Sequence, residues 1–119
     1  MTQNAREALI ELLFLSLYLD EHLSLAEDDV LTSALDSLGW ESTESREKHV
    51  FKSFAAARAN YEDAIKCDEF LKSKAAIIKA DGEEAAAITW LSKVLGSDGL
   101  TFMEKRFLDQ LEAQLFPQA

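Results

Sequence analysis

Residues that break regular structure are scarce in this sequence, which has four glycines and one proline among 119 residues. All-β folds need many turns rich in such residues, so their scarcity favours helices. The chain length is typical of one domain, and no linker or low-complexity tract interrupts it. We therefore predict a single all-helical domain over residues 1–119.

Cysteine is almost absent as well, since Cys67 stands alone. No disulfide can form within the chain, which fits a reducing compartment, and we expect a cytoplasmic location. Apolar runs are short: the longest strongly apolar one, LLFLSLYL at residues 12–19, lies between Glu11 and Asp20. A membrane-spanning helix needs about 20 apolar residues. This run has no small-residue cleavage site after it. We predict a buried core helix here and no direct insertion into a membrane.

Positive charge is in the minority, because 22 acidic residues outnumber 12 Lys and Arg and give a net charge of -10. Such a chain is repelled by phosphate backbones and by anionic lipid, so we expect no nucleic-acid partner. Residues 42–79 differ from the rest, with eight basic and six acidic residues. A solvated surface is the plain interpretation. The sharper one is that the acidic ends attract a cation or a basic partner.

Apolar residues recur with helical spacing in six segments, which predicts a bundle of about six helices. The predicted bounds are about 5–19, 24–38, 43–59, 62–79, 83–95, and 101 to just before Pro117. The first helix is apolar on nearly every side and should lie at the centre of the fold. In the third, we expect Val50, Phe51, Phe54 and Ala57 or Arg58 to mark the inner edge.

A weak internal repeat relates the two ends of the chain at a distance of about 77 to 78 residues. Each copy consists of an apolar helix, an acidic turn, a capping box and a second apolar helix. The capping boxes are Ser24 with Glu27 and Thr101 with Glu104. We predict two helix-turn-helix pseudo-repeats that pack about a pseudo-twofold axis.

The acidic turns resemble those of the TerB-like tellurite-resistance family, whose relatives include domains of some DnaJ-type co-chaperones. The resemblance is carried by Ala80-Asp81-Gly82-Glu83, by the stretch from Asp98 to Glu104, and by the stretch from Asp20 to Glu27. In that family a helix ends in Ala-Asp-Gly-acid and runs into a Ser or Thr cap. The resemblance implies an all-helical cytoplasmic bacterial domain linked to stress response. It also implies acidic residues that hold a divalent metal, and no established enzymatic activity.

Four carboxylates at the repeated turns form the candidate metal site: Asp20, Glu27, Asp98 and Glu104. Hard cations such as calcium bind clustered oxygen ligands, which turns between helices can supply. The other interpretation, which we favour, is that Glu27 and Glu104 serve only in capping boxes. Asp20 and Asp98 would then simply end helices. A divalent cation is therefore a hypothesis, and no other cofactor is indicated.

Enzymatic motifs are lacking around the other reactive side chains. Neither His22 nor His49 belongs to a His-Glu-x-x-His motif, and both are expected at the surface. Cys67 is expected to be a buried or half-buried core thiol. Trp40 and Trp90 are expected in the core or at its edge, where either could still anchor a partner.

The sequence thus predicts a non-enzymatic binding or scaffold module whose protein partner is unidentified. A divalent-metal-dependent sensor that uses the acidic turns is the first alternative. An enzyme with a dispersed carboxylate site is the second. A binding module should expose an apolar patch, whereas an enzyme should show a deep pocket with convergent titratable groups.

Overall fold

A computed structural model describes residues 1–19, 29–96 and 101–117. Every regular element in these ranges is an α-helix, which confirms the predicted all-α bundle. The helices are α1 (Gln3–Leu19), α2 (Asp29–Leu38), α3 (Arg46–Asn60), α4 (Ala64–Ala80), α5 (Glu84–Leu95) and α6 (Phe102–Leu115). Within the described ranges, no helix is both long enough and apolar enough to cross a membrane.

The first helix lies at the centre of the bundle, as predicted from its apolar composition. It contacts α3, α4, α5 and α6, and its side chains are buried at most positions from Ala5 to Leu17. A helix that is apolar on all sides loses contact with water only when neighbours surround it. α3 and α4 pack against α1 and against each other, and α6 packs against both α4 and α5.

Side-chain caps fix where several helices begin. Ser45 accepts a hydrogen bond from the Lys48 amide, so α3 begins three residues later than the predicted start at Thr43. Asp63 caps α4 in the same way through the amides of Ile65 and Lys66. A helix needs such acceptors because its first amides have no partner within the helix.

Two expectations for α3 are wrong, and both concern which side of the helix faces inward. His49 was expected at the surface and is only 6% exposed, whereas Phe51 was expected inside and is 76% exposed. The buried stripe of α3 is His49, Ser53 and Ala57. The small side chains of Ser53 and Ala57 let α3 approach α1 closely, and this approach turns Phe51 outward.

The remaining pattern of burial agrees with the sequence. The predicted stripe of α6, formed by Phe107, Leu108, Leu111 and Leu115, is buried, and Trp40 and Trp90 pack at the edge of the core. The Trp90 indole donates a hydrogen bond to the Ala34 carbonyl at 3.2 Å, which joins α5 to α2. The pseudo-twofold relation between the two ends of the chain stays a prediction.

Candidate functional site

A groove of about 310 Å³ runs between α4 and α6 and is the main candidate site. We call it the α4–α6 groove. Its apolar floor is formed by Leu19 at the end of α1, Leu71 of α4 and Phe107 of α6. The first halves of α4 and α6 form its two walls. These residues come from distant parts of the chain, so the groove exists only because α4 and α6 both pack near the end of α1.

Polar side chains surround this floor and give the groove a charged rim. Glu62 and Asp68 lie on the α4 side, and Arg106 and Gln110 lie on the α6 side. Asp68 also forms an ion pair with Lys72 at 2.9 Å, one turn along the same helix. An apolar floor with a polar rim is the usual composition of a protein-binding surface.

A chain of aromatic rings holds Tyr61 in place at one end of the groove. Phe14 of α1 contacts Phe54 of α3 at 4.2 Å between ring centroids, and Tyr18 contacts Tyr61 at 5.1 Å. Tyr18 also meets Phe54 edge to face at 6.1 Å. The Tyr61 hydroxyl donates a hydrogen bond to Glu62 at 3.0 Å, and this bond raises the pKa of the Tyr61 hydroxyl. The groove wall at Tyr61 is therefore in continuous contact with the core.

The single cysteine lines the same groove. Cys67 is half-buried, as predicted. Burial raises the pKa of its thiol, and the nearby negative charge of Asp68 raises it further. A thiol with a raised pKa is mostly protonated at neutral pH and is a poor nucleophile. Cys67 therefore forms part of the groove wall, and its thiol is not activated as a nucleophile.

Apolar side chains also stand exposed at the starts of the two helices that border the groove. Ile65 is the second residue of α4, and Phe102 and Met103 open α6. All three are exposed, and Phe102 has 76% of its surface open to solvent. Met103 in addition lines the groove itself. Met103 thus gives the groove an exposed apolar border, which is typical of a docking surface for a protein partner.

A second groove, more polar, lies where α1 faces α3 and α4. Lys74 of α4 forms an ion pair with Glu11 of α1 at 2.8 Å, and both side chains are mostly buried. His49 Nε2 lies 3.1 Å from the Glu7 carbonyl oxygen, while its Nδ1 lies 3.8 Å from the Glu7 carboxylate. The His49 ring also stacks against Trp40. These groups are engaged with one another, and their evident role is to hold α3 and α4 on α1.

Of the four candidate metal ligands, only Glu104 lies within the described residues. Asp20, Glu27 and Asp98 lie outside them. Glu104 is 2% exposed and forms the predicted capping box: it accepts a hydrogen bond from the Thr101 amide at 2.9 Å. Its own amide donates to the Thr101 hydroxyl at 3.1 Å. Across the ranges 1–19, 29–96 and 101–117, no three His, Cys, Asp or Glu residues are grouped so that they could hold a metal ion.

Sequence reasoning missed the residues that build the α4–α6 groove. Nothing in the sequence around Tyr61 and Arg106 indicates a binding site, since neither residue belongs to an apolar stripe or a motif. Met103 at the start of α6 gave a weak signal, because it follows Phe102 ahead of the buried stripe of that helix. No family model, no curated protein and no solved structure matches this chain.

Proposed function

We propose that this chain is a non-enzymatic binding module that receives an amphipathic segment of a partner protein in the α4–α6 groove. The observation that carries the proposal is the groove itself, which buried Leu71 and Phe107 close at its base and which the exposed apolar side chain of Met103 borders, next to exposed Phe102 in the chain. Removing such apolar surface from water contributes about 25 cal/mol per Å² to binding. A role in bacterial stress response, implied by the resemblance to TerB-like domains, belongs to the same proposal.

The charges around the groove favour a partner segment with a basic edge. Glu62 and Asp68 on the α4 side outnumber Arg106, the one Lys or Arg that lines the groove among the described residues, and the whole chain has a net charge of -10. A negative field of this kind accelerates the encounter with a cationic segment and repels an acidic one. Apolar side chains of the partner would lie on Leu19 and Met103, and its basic side chains would lie against the acidic rim.

The test is capture of partners from lysate of the source cells by wild type and by a Met103→Glu variant. A buried carboxylate without a partner is costly, so a side chain that must be covered on binding should not tolerate this change. We expect Met103→Glu to lose the proteins that wild type captures in the α4–α6 groove. Phe116→Glu is the matched control, because it makes the same kind of change at an exposed apolar side chain at the other end of α6.

Two further readouts show where the captured partner binds and whether binding needs a metal ion. Captured partner should protect Cys67 from alkylation, because the thiol lies in the groove wall. The same capture with and without a chelator measures whether binding needs a divalent ion. Equal capture by wild type and Met103→Glu, with Cys67 unprotected, would contradict the proposal.

A further inference from the structure

The third helix carries a charge opposite to that of the chain. α3 contains four basic residues and one acidic residue, Glu47, whereas the whole chain has a net charge of -10. Two of the four basic side chains are committed to ion pairs, Arg46 with Asp36 and Lys52 with Glu44. Within the described part of the chain, Lys48 and Arg58 form no salt bridge.

These two free cations flank the exposed aromatic ring of the same helix. Lys48 lies three residues before Phe51, and Arg58 lies seven residues after it. In an α-helix these three positions lie within about 80° of each other around the axis. Ala55 lies between Phe51 and Arg58 along the same side, and all four side chains are exposed. We call these four residues the α3 outer face.

Core packing does not account for Phe51. Its ring is 76% exposed, while the core contact of α3 is supplied by the buried stripe of His49, Ser53 and Ala57 together with the partly buried Val50 and Phe54. The small side chain of Ala55, one turn away, leaves the ring accessible from the side. An accessible aromatic ring between two cations can contact an apolar side chain while the cations pair with carboxylates.

We infer that the α3 outer face docks a short acidic segment of a partner protein that carries an apolar anchor. The anchor covers Phe51, and the carboxylates of the segment pair with Lys48 and Arg58. This surface is separate from the α4–α6 groove and has the opposite charge preference. One module could therefore bind two segments of different character.

The size of the basic surface favours a short acidic segment over a long polyanion. Nucleic acids and anionic membranes present negative charge over a large area. Outside α3 and the mildly basic α4 they would meet a chain that is strongly acidic, and they would be repelled. A short peptide needs to cover only the α3 outer face, where Lys48 and Arg58 outnumber the exposed Glu47 on the same side of the helix.

The experiment uses a labelled synthetic peptide of Asp and Glu around a central Trp and Leu, titrated into the full chain. Amide chemical shifts of the isotope-labelled chain should change in residues 48–58, and binding should weaken as salt is added. Phe51→Ser should weaken binding by about tenfold or more, the size of effect expected for one aromatic anchor. The double variant Lys48→Glu, Arg58→Glu should abolish it.

Each variant has a matched control that makes the same change elsewhere. Phe102→Ser removes an equally exposed ring from α6, and Lys66→Glu with Lys79→Glu reverses two exposed charges on α4. Both controls should bind the peptide as wild type does, apart from the shared effect of net charge. Circular dichroism checks that all variants keep their helices.

Three results would overturn the inference. The first is unchanged peptide binding by Phe51→Ser and by the double charge variant. The second is tighter binding of a single-stranded oligonucleotide or of phosphatidylserine vesicles than of the peptide. The third is concentration-dependent self-association that Phe51→Ser removes, which would make the face a contact between copies of this chain. If this inference fails, the proposed function of the α4–α6 groove is unaffected, because that proposal depends on Met103 and not on Phe51.

Discussion

The guanidinium group of Arg6 packs against the backbone of Gly39, where the chain leaves α2. Arg6 Nε donates a hydrogen bond to the Leu38 carbonyl at 3.0 Å, and Nη1 lies 3.4 Å from a carboxylate oxygen of Glu41. Gly39 has a φ of +84°, and a Cβ there would lie 3.4 Å from Arg6 Nη2. Arg6 is the only Arg or Lys among the first 41 residues, and its contacts join the C-terminal end of α2 to α1.

This contact predicts a clear loss of stability in Arg6→Ala. The change leaves the Leu38 carbonyl without its charged donor and removes the packing of the Arg6 stem, which should cost about 2 kcal/mol. Glu41→Ala is the control, because its carboxylate is exposed and an exposed ion pair contributes less than about 1 kcal/mol. Urea unfolding measures both. Equal losses in the two variants would show that the ion pair, and not the helix-end contact, matters.

The central position of α1 predicts a large effect of Leu13→Ala. Leu13 is fully buried, and truncation of a buried leucine usually costs about 2–5 kcal/mol. Ile65→Ala removes a similar volume from an exposed position and should change stability by less than about 0.5 kcal/mol. The urea midpoint of Leu13→Ala should fall clearly below those of wild type and Ile65→Ala. An unchanged midpoint would place α1 at the periphery.

The capping box at the start of α6 predicts different effects for two changes at Glu104. Glu104→Gln keeps an oxygen that accepts from the Thr101 amide and should cost less than about 0.5 kcal/mol. Glu104→Ala removes that acceptor and should cost about 1 kcal/mol. Thermal unfolding distinguishes the two. If Glu104→Gln is as destabilising as Glu104→Ala, the charge and not the hydrogen bond is what α6 requires.

The metal hypothesis for Asp20, Glu27, Asp98 and Glu104 predicts an ion-specific rise in Tm. Calcium, magnesium or manganese, compared with chelator at matched ionic strength, should stabilise the chain by about 2.7 kcal/mol at a hundredfold excess over Kd. The double variant Asp20→Asn, Asp98→Asn should abolish the shift. Absence of any ion-specific shift in wild type would leave the turns as helix ends alone.

The environment of Cys67 predicts slow alkylation that a neighbouring charge controls. Burial, and after it Asp68, raises the pKa of the thiol, so the reactive thiolate is less populated at a given pH than in a free cysteine. Asp68→Asn removes one of these causes, lowers the pKa and should speed alkylation at mildly alkaline pH. Glu69→Gln, a neighbouring change of the same charge, is the control. Equal rates in the two variants would mean that burial alone sets the reactivity.

The all-α class and the order of six helices followed from the sequence because their causes are local. The period of apolar residues sets each helix, and Gly39 and Thr101 act within a few residues of the boundaries they define. The central place of α1 also followed, since a helix apolar on all sides requires neighbours all round. The stripe of α6 was predictable for the same reason.

The packing of the helices against one another determined which side of α3 is buried and where the groove lies, and neither could be predicted from the sequence. His49 is buried and Phe51 is exposed, although phenylalanine is the more apolar side chain. The reason is that α3 packs on α1 through the side that carries the small residues Ser53 and Ala57. The α4–α6 groove likewise joins Leu19, Leu71 and Phe107, which are far apart in sequence. Helical periodicity shows which side of a helix is apolar. Only the packing of neighbouring helices determines which side is covered and where a gap between helices stays open.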